Sequence, residues 1–562
     1  MDQTTFQPMP DRQFRIAVVL LIALAALLAY ANTFTGEFVW DDVSSILLHE
    51  HVQDTSKFFQ LFREDQHAFG RGQGNFYRPL VAASFMLDYA LSKPAEGAEL
   101  SPFIFHATNL FWHAAAAVLL FALLARLGAP RAVQVLAPML YVLHPLHTEA
   151  VAYMSGRADM MSAAFMYGGL WLAVGEPRRW PGRVAQVLLV AVCFTGGLLS
   201  KESAFIFPVL AGLLIFRPVD GSVKRWPVYA RRSAPFLASL AVLAVYGVLR
   251  TTVLHFGSQA APDTALGRRI VEMLQAYALY ARLLIVPTGL HMERTLEGVG
   301  ALTALAGALL LAGTVVLAVL AWRRGHARAG LGLVWFLVTW LPISGIFPLN
   351  APMAEHWMYV PMAGLIWAAT ELLCMLARQP KARYGLAAAA CALALAFLGL
   401  TIERNRDWHD NEAIFLATLE QNPHSTRVQY NLAVTYEDLM DNPSAARRHY
   451  EAVIDTYKEK KRAMLGGGQE SFYDEELESH LSLGRIYADR RQFNQAAEHF
   501  GAVMRIEPNA ANRALRATAA FGLGRCYMAT GDMNRATELF KQAATGRPDL
   551  KPEIERVLSG QS

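Results

Sequence analysis

Uncharged apolar blocks of 16–22 residues recur up to about residue 401, and no other feature constrains the fold as strongly. They are built from Ala, Leu, Val, Phe and Trp, and short basic or Pro/Gly-containing loops separate them. A helix of about 20 such residues crosses the hydrocarbon core of a bilayer. Beyond residue 401 the chain turns polar and charged, with helical periodicity. The expected fold class is therefore all-α: a polytopic membrane helix bundle followed by a soluble helical part.

Basic residues fall in alternate loops, which sets orientation by the positive-inside rule. Arg12 and Arg15, Arg126 and Arg131, and Arg178, Arg179 and Arg183 mark the first three cytoplasmic segments. Arg217, Lys224, Arg225, Arg231 and Arg232 mark the fourth; Arg323, Arg324 and Arg328, then Arg378, Lys381 and Arg383, mark the last two. With these inside, about eleven spans result, near 16–33, 103–125, 132–144, 160–175, 184–200, 203–217, 234–250, 300–321, 331–347, 358–377 and 384–401. The apolar segment 270–287 is expected to be interfacial or re-entrant, because a span there would invert everything downstream. Odd parity puts the N-terminus in the cytoplasm and the C-terminal domain outside. The first apolar stretch has a charged start and no small-residue cleavage site after it, so it reads as a retained helix.

The net charge of +4 resides mostly in the inner loops and does not imply nucleic acid. Cys193, Cys374 and Cys391 lie in apolar spans and Cys526 is alone in the outer domain, so no disulfide framework is expected. The Asn442-Pro443-Ser444 triplet has Pro at its centre and cannot accept an N-glycan. With the Ala/Arg-rich composition, this points to a bacterial inner membrane, with the C-terminal domain periplasmic.

That domain repeats. Gly484, Tyr487, Ala496, Phe500 and Pro508 recur as Gly524, Tyr527, Ala536, Phe540 and Pro548, with Ala543. Leu432, Ala433, Tyr436, Ala446 and Tyr450 form a looser first copy. This is the tetratricopeptide (TPR) pattern, in which small residues let paired helices approach and aromatics fill the gap to the next pair. Expected boundaries are 1–401 for the membrane domain, 402–423 for a linker and 424–562 for about three repeats. The Gly-rich run at 465–470 reads as a flexible insertion. Such a solenoid either recruits an extended peptide or braces the membrane domain.

The outer-face loops carry more ionisable groups than packing requires. The first, 34–100, holds Asp41 and Asp42 in "FVWDD", then Arg78 and Asp88 flanking an amphipathic run expected to lie along the membrane surface. The second holds His144, His147, Glu149, Arg157 and Asp159. The third is "SKES", with Lys201 and Glu202; the fourth holds Glu355, His356 and Tyr359. All four fall on one side of the predicted topology, which is the main reason to expect a single outward-facing site. Each group also has a plainer role open to it. Acidic pairs in loops are usually solvated, and Lys201–Glu202 would serve as an interface pair. His144 and His147 have metal-ligand spacing, but the Pro between them and the lack of further His or Cys speak against zinc. His106, Asn109 and His113 share a helical face and read first as interhelical hydrogen-bonding groups.

The order "FVWDD", "YRPL…LDY", "H-x-x-N-x-x-x-H", "HPLHTEAV…SGRADMMS", "SKES" and "AEHWMYVP", followed by TPRs, resembles the transmembrane and tetratricopeptide-repeat-containing O-mannosyltransferases (the TMTC family) and their bacterial relatives. The resemblance covers nearly the whole chain, and the stretch from His144 to Asp159 is its most specific part. It implies a GT-C type glycosyltransferase fold and inverting transfer of a sugar, mannose or similar, from a polyprenyl-phosphate donor in the membrane lipid. It also implies an acceptor hydroxyl outside the cytoplasm. The repeats are few for the animal members, so acceptor choice does not carry over from them. The TPRs by themselves favour a protein or peptide over a glycolipid or glycan. One departure is that the family commonly has Glu-Arg where this chain has Glu355-His356, so a cation near the donor phosphate must come from elsewhere. The chemistry fits the residues independently. Asp41 or Asp42 is expected as the base that takes the acceptor proton. Arg78, Arg157 and Lys201 are expected to stabilise the lipid-phosphate leaving group. Glu149, Asp159, Glu202, Glu355, His144, His147, His356 and Tyr359 are expected to bind substrate or support these groups. A cofactor is not firmly implied. The pair has the oxygen ligands that suit Mg²⁺ or Mn²⁺, but neutralisation by Arg and Lys would make a metal unnecessary.

Competing classes are a non-catalytic TPR scaffold for envelope assembly, a lipid-diphosphate-dependent glycan ligase and a transporter. The scaffold leaves the charged outer loops unexplained, and a transporter would place its charges at mid-membrane on broken helices.

Overall fold

The computed structural model describes residues 9–69, 76–92, 99–176, 180–216, 226–252, 265–347, 349–377, 379–463, 474–509 and 512–559. The described residues are helical with no strand, and the chain divides into two units, Met1–Ala413 and Ile414–Ser562. The Gly-rich run at 465–470 and parts of the basic loops, residues 177–179, 217–225 and 378, lie outside the described residues.

In the first unit, α1 (Asp11–Tyr30), α2 (Pro79–Leu91), α3 (Phe103–Arg126), α4 (Arg131–Leu143), α5 (Thr148–Ala152), α6 (Arg157–Ala173) and α7 (Trp180–Ser200) come first. Then follow α8 (Phe207–Ile215), α9 (Trp226–Thr252), α10 (Leu266–Ile285), α11 (Ala301–Arg323), α12 (Ala327–Trp340), α13 (Tyr359–Leu376) and α14 (Pro380–Asp407). Each of the eleven expected span positions carries one of these helices. Seven described helices are long and apolar enough to cross a membrane by themselves, and the chain is an integral membrane protein. The segment expected to be interfacial or re-entrant is α10, one continuous helix that is not among those seven. It carries Arg268, Arg269, Glu272 and Arg282 on its open side and buries Tyr277 and Tyr280 against Phe336 and Trp340 of α12.

Helix α2 starts with Pro79 at its first turn, where a missing N–H costs nothing. It sinks Val81, Phe85 and Met86 into a local core with Phe105 and Met161. A larger core joins α1, α3, α4, α6, α7 and α8 around Tyr141, Tyr167, Phe194 and Phe207.

The second unit completes α15 (Asn411–Gln421) and continues with three helical pairs. These are α16 (Thr426–Val434) with α17 (Pro443–Ala463), α18 (Asp474–Asp489) with α19 (Phe493–Met504), and α20 (Arg513–Ala529) with α21 (Met533–Gly546); α22 (Lys551–Leu558) closes the end. Here the repeat glycines earn their place by close approach. A β-carbon on Gly484 would lie 2.6 Å from the Phe500 ring, and one on Gly524 would lie 2.8 Å from Phe540.

Candidate functional site

The acidic pair sits on a tight turn after α1. Trp40 adopts φ +49°, the left-handed region that non-glycine residues enter only when held there. The two carboxylates that follow have different surroundings. Asp42 is fully buried. One of its oxygens accepts from the Ser155 N–H at 2.8 Å and from the Ser155 hydroxyl at 2.7 Å; the other accepts from the Val39 N–H at 3.1 Å. Burial pushes its carboxyl up to about 7, with the Ser155 and Val39 hydrogen bonds pulling the other way. Asp41 is only half-buried. Tyr153 and His67 lie within electrostatic range of it, and the His67 ring meets the hydroxyls of Ser44 and Ser45 at 2.9 and 3.0 Å.

Two charge pairs connect the other loops. Lys201, in the turn between α7 and α8, places its ammonium 2.7 Å from both oxygens of Asp159 in the first turn of α6. Arg78, just ahead of α2, binds Glu202 through Nε at 3.2 Å and Nη2 at 2.9 Å. Fork-to-fork pairing of this kind fixes the guanidinium plane. The fourth loop joins through His356, whose Nδ1 lies 2.8 Å from Glu149 and whose N–H donates to the other Glu149 oxygen at 2.9 Å. Burial raises the Glu149 carboxyl, but His356 more than offsets it and holds it below the usual range. All four of these loops thus meet in pairs: first with second through Asp42–Ser155, first with third through Arg78–Glu202, second with third through Asp159–Lys201, second with fourth through Glu149–His356.

Several expected site residues do something else. Arg157 was expected at the donor phosphate, yet its guanidinium is fully buried and spent on the protein. It pairs with Asp88 at 2.5 Å and donates to Asn109 at 2.7 Å, Ser84 at 3.0 Å and the Phe105 carbonyl at 2.9 Å. It ties α2, α3 and α6 together, with four of its five N–H groups committed to the protein. His144 caps a turn: its Nδ1 accepts from the Leu146 N–H at 3.2 Å, so Nε2 carries the proton and donates to the Leu284 carbonyl at 3.1 Å. His147 is sealed between the rings of Tyr141 and Tyr359, both 4.4 Å away. Tyr359 is buried and hydrogen-bonds His113 at 2.6 Å. All three are buried within the bundle, in the supporting role that was one of the two expected of them. His113 and Asn109 keep the interhelical role expected of them, Asn109 also donating to the Val151 and Tyr153 carbonyls at 3.1 Å each.

Glu355 leads to residues the sequence reading did not single out. It is buried, accepts from the His291 N–H at 2.7 Å and from Arg294 at 2.7 Å, and has Arg404 3.5 Å away. Arg294, on the loop after α10, and Arg404, near the end of α14, thus place two cations beside Glu355. The Arg404 guanidinium lies 5.9 Å from the Trp408 ring. Trp408 stacks on Tyr153 at 5.2 Å, and Tyr153 stacks on Trp40 at 6.1 Å, so an aromatic ladder runs from this cluster to the acidic pair. The polar run "ERNRDWHDNE" directly after the last apolar block was the available signal for Arg404 and Trp408.

Both oxygens of Asp42 already accept protein hydrogen bonds, and among the described residues no three His, Cys, Asp or Glu side chains converge on one point.

The tetratricopeptide-repeat family model matches residues 487–559. Over longer stretches the chain is 25% identical to the mouse Protein O-mannosyl-transferase TMTC4, covering 77% of this chain and 65% of that protein. It is 24% identical to the Caenorhabditis elegans Protein O-mannosyl-transferase F38B6.6, covering 78% and 62%. Against the mouse Protein O-mannosyl-transferase TMTC3 the identity is 22%, covering 97% of this chain and 61% of that protein. The chain thus spans less than two thirds of the length of these relatives. No solved structure matches it at a significant level. The chain is a relative of the TMTC protein O-mannosyl-transferases over most of its length, with tetratricopeptide repeats in its C-terminal part.

Proposed function

We propose that the protein is a GT-C type membrane glycosyltransferase. It moves a sugar, mannose or similar, from a polyprenyl-phosphate donor to an acceptor hydroxyl, a Ser or Thr of a protein, on the extracytoplasmic face. In this reading the N-terminus is cytoplasmic, the TPR unit lies on the far side of a bacterial inner membrane, and the repeats bring the acceptor.

The observation that carries the reading is the unequal state of the two aspartates, on a loop tied to those that hold the Arg78–Glu202 and Lys201–Asp159 pairs. Asp42 is enclosed and spends both oxygens on the protein, so it shapes the turn. Asp41 keeps partial access to the outside and is the group placed to take the acceptor proton. The acceptor oxygen attacks the anomeric carbon, forming the new C–O bond with inversion. The bond to the phosphate oxygen breaks, and its electron pair leaves with the lipid phosphate. Lys201 and Arg78 are the cations assigned to that growing negative charge, with Asp159 and Glu202 holding them in place. Arg294 and Arg404 are a second source of positive charge next to Glu355.

The test is transfer by purified protein in lipid, given radiolabelled polyprenyl-phosphate mannose or its glucose analogue together with an envelope protein extract. Label in protein, attached to Ser or Thr with the anomeric configuration opposite to the donor, supports the reading. No donor consumption would leave the TPR scaffold as the better account.

A further inference from the structure

We infer that Asn411 is a positioning residue for the acidic pair, reaching it from the segment that joins the last membrane helix to the TPR unit. The inference rests on the proposed role of Asp41 as base. Residues 402–423 read as a linker in the sequence, between the last apolar block and the first repeat. The structure puts residues 402–411 to work. The Trp40 N–H donates to the Asn411 side-chain oxygen at 2.8 Å, across 371 residues of chain. The Glu37 N–H donates to the His409 carbonyl at 2.7 Å. Lower down the seam, Asn405 donates to the Ala29 carbonyl at 2.8 Å and to Asn32 at 2.7 Å, while Asn32 donates back to the Ile402 carbonyl at 3.0 Å. Trp408 closes the far side of the Tyr153 ring on which Trp40 stacks.

These contacts bear on a single backbone outlier. Trp40, immediately before Asp41, is held at φ +49°. A left-handed residue with a bulky side chain relaxes unless its surroundings over-determine it. The Asn411 side-chain oxygen takes the Trp40 N–H, while the Trp40 carbonyl accepts from the Val43 N–H at 3.2 Å. Relaxing Trp40 would swing the peptide that carries Asp41, and an active-site shift of about 1 Å is enough to slow catalysis strongly. Asn suits the position because its oxygen accepts the N–H without adding a third negative charge beside Asp41 and Asp42. Asn411 is also the first residue of α15, the helix on which the chain leaves the membrane unit.

The experiment compares Asn411→Ala and Asn411→Asp with wild type in the full-length protein in lipid, by hydrogen exchange and by sugar transfer. Asn411→Asp keeps an acceptor oxygen and serves as the rescue variant. In Asn411→Ala, peptides covering residues 36–45 are expected to exchange about tenfold faster, with peptides of the TPR unit unchanged. The kcat for transfer is expected to fall about tenfold with donor KM within about twofold, as for a group that acts on the transition state and not on uniform binding. Asn411→Asp is expected to recover most of the exchange protection, and kcat only in part, since it adds a negative charge beside Asp41 and Asp42. Should Asn411→Ala fail to fold, Asn411→Gln lengthens the arm while keeping the amide and is expected to give the same two changes. Unchanged exchange at 36–45 overturns the inference, and so does faster exchange with an unchanged kcat. Asp41→Asn, assayed alongside, separates the two claims: if it transfers like wild type, the base assignment fails, while the exchange result still decides whether Asn411 holds the turn.

Discussion

Ser155 gives Asp42 two hydrogen bonds on the same oxygen, one from its backbone at 2.8 Å and one from its hydroxyl at 2.7 Å. The two residues are 113 positions apart, on the loop after α1 and the turn before α6. This contact decides which member of the acidic pair is structural. It also joins the first outer loop to the second.

Removing the hydroxyl should therefore loosen the acidic turn without touching Asp41. Ser155→Ala is expected to cost roughly 1.5–3 kcal/mol, the range for a hydrogen bond to an ionisable partner, and to lower kcat. Thermal unfolding in lipid and transfer kinetics measure the two effects. Ser155→Thr, which keeps the hydroxyl, should recover part of both.

Asp42 gives a pH signature. Burial lifts its folded value to about 7, above an unfolded carboxylate near ~3.9. Between these values the native state binds more protons than the unfolded one. Its contribution to stability is thus fully present below the unfolded value and is lost as pH rises through about 7. The melting temperature should decline between about pH 4 and about pH 7 and level off above that, and Asp42→Asn should flatten that part of the curve. A slope that survives the substitution would assign it to another group.

Lys201 and Asp159 are each less than a tenth exposed and hold one another by two 2.7 Å contacts. Losing one partner strands a buried charge, so Asp159→Asn alone should destabilise by about 3–5 kcal/mol. Lys201→Met combined with Asp159→Asn should cost clearly less than the two single changes added together. A double-mutant cycle on thermal unfolding reads this coupling, and additivity would contradict the pairing.

Arg157 offers a contrast with Lys201. With its guanidinium committed to Asp88, Asn109, Ser84 and Phe105, Arg157→Ala should destabilise the membrane unit by about 3–5 kcal/mol. Milder variants that remain folded should keep donor KM near wild type. A selective rise in donor KM without loss of stability would return Arg157 to the phosphate.

Much of the fold was open to reading because its signals are local. Apolar block length marks membrane helices, and the Gly–Tyr–Ala–Phe spacing marks helical pairs whose glycines meet the rings of Phe500 and Phe540. The charged outer loops were legible for the same reason. Their roles were not, because each role is set by a partner distant in sequence. Arg157 looks like a ligand within "SGRAD" until Asp88 and Asn109 arrive from two other helices. Arg294 and Arg404 carry no motif and become relevant only where Glu355 draws them together. Residues 402–411 are a comparable case: they are polar and carry no motif, and their hydrogen bonds run to residues 29–40, distant in sequence.

The most direct measurement is transfer from radiolabelled polyprenyl-phosphate mannose by Asp41→Asn and Asp42→Asn, with thermal unfolding recorded on the same samples. The account predicts that Asp41→Asn melts within a few degrees of wild type and loses about 10²–10⁴ in kcat, as removal of a positioned base does. Asp42→Asn should lose stability as well as rate. An Asp41→Asn protein that transfers sugar at the wild-type rate would contradict the account.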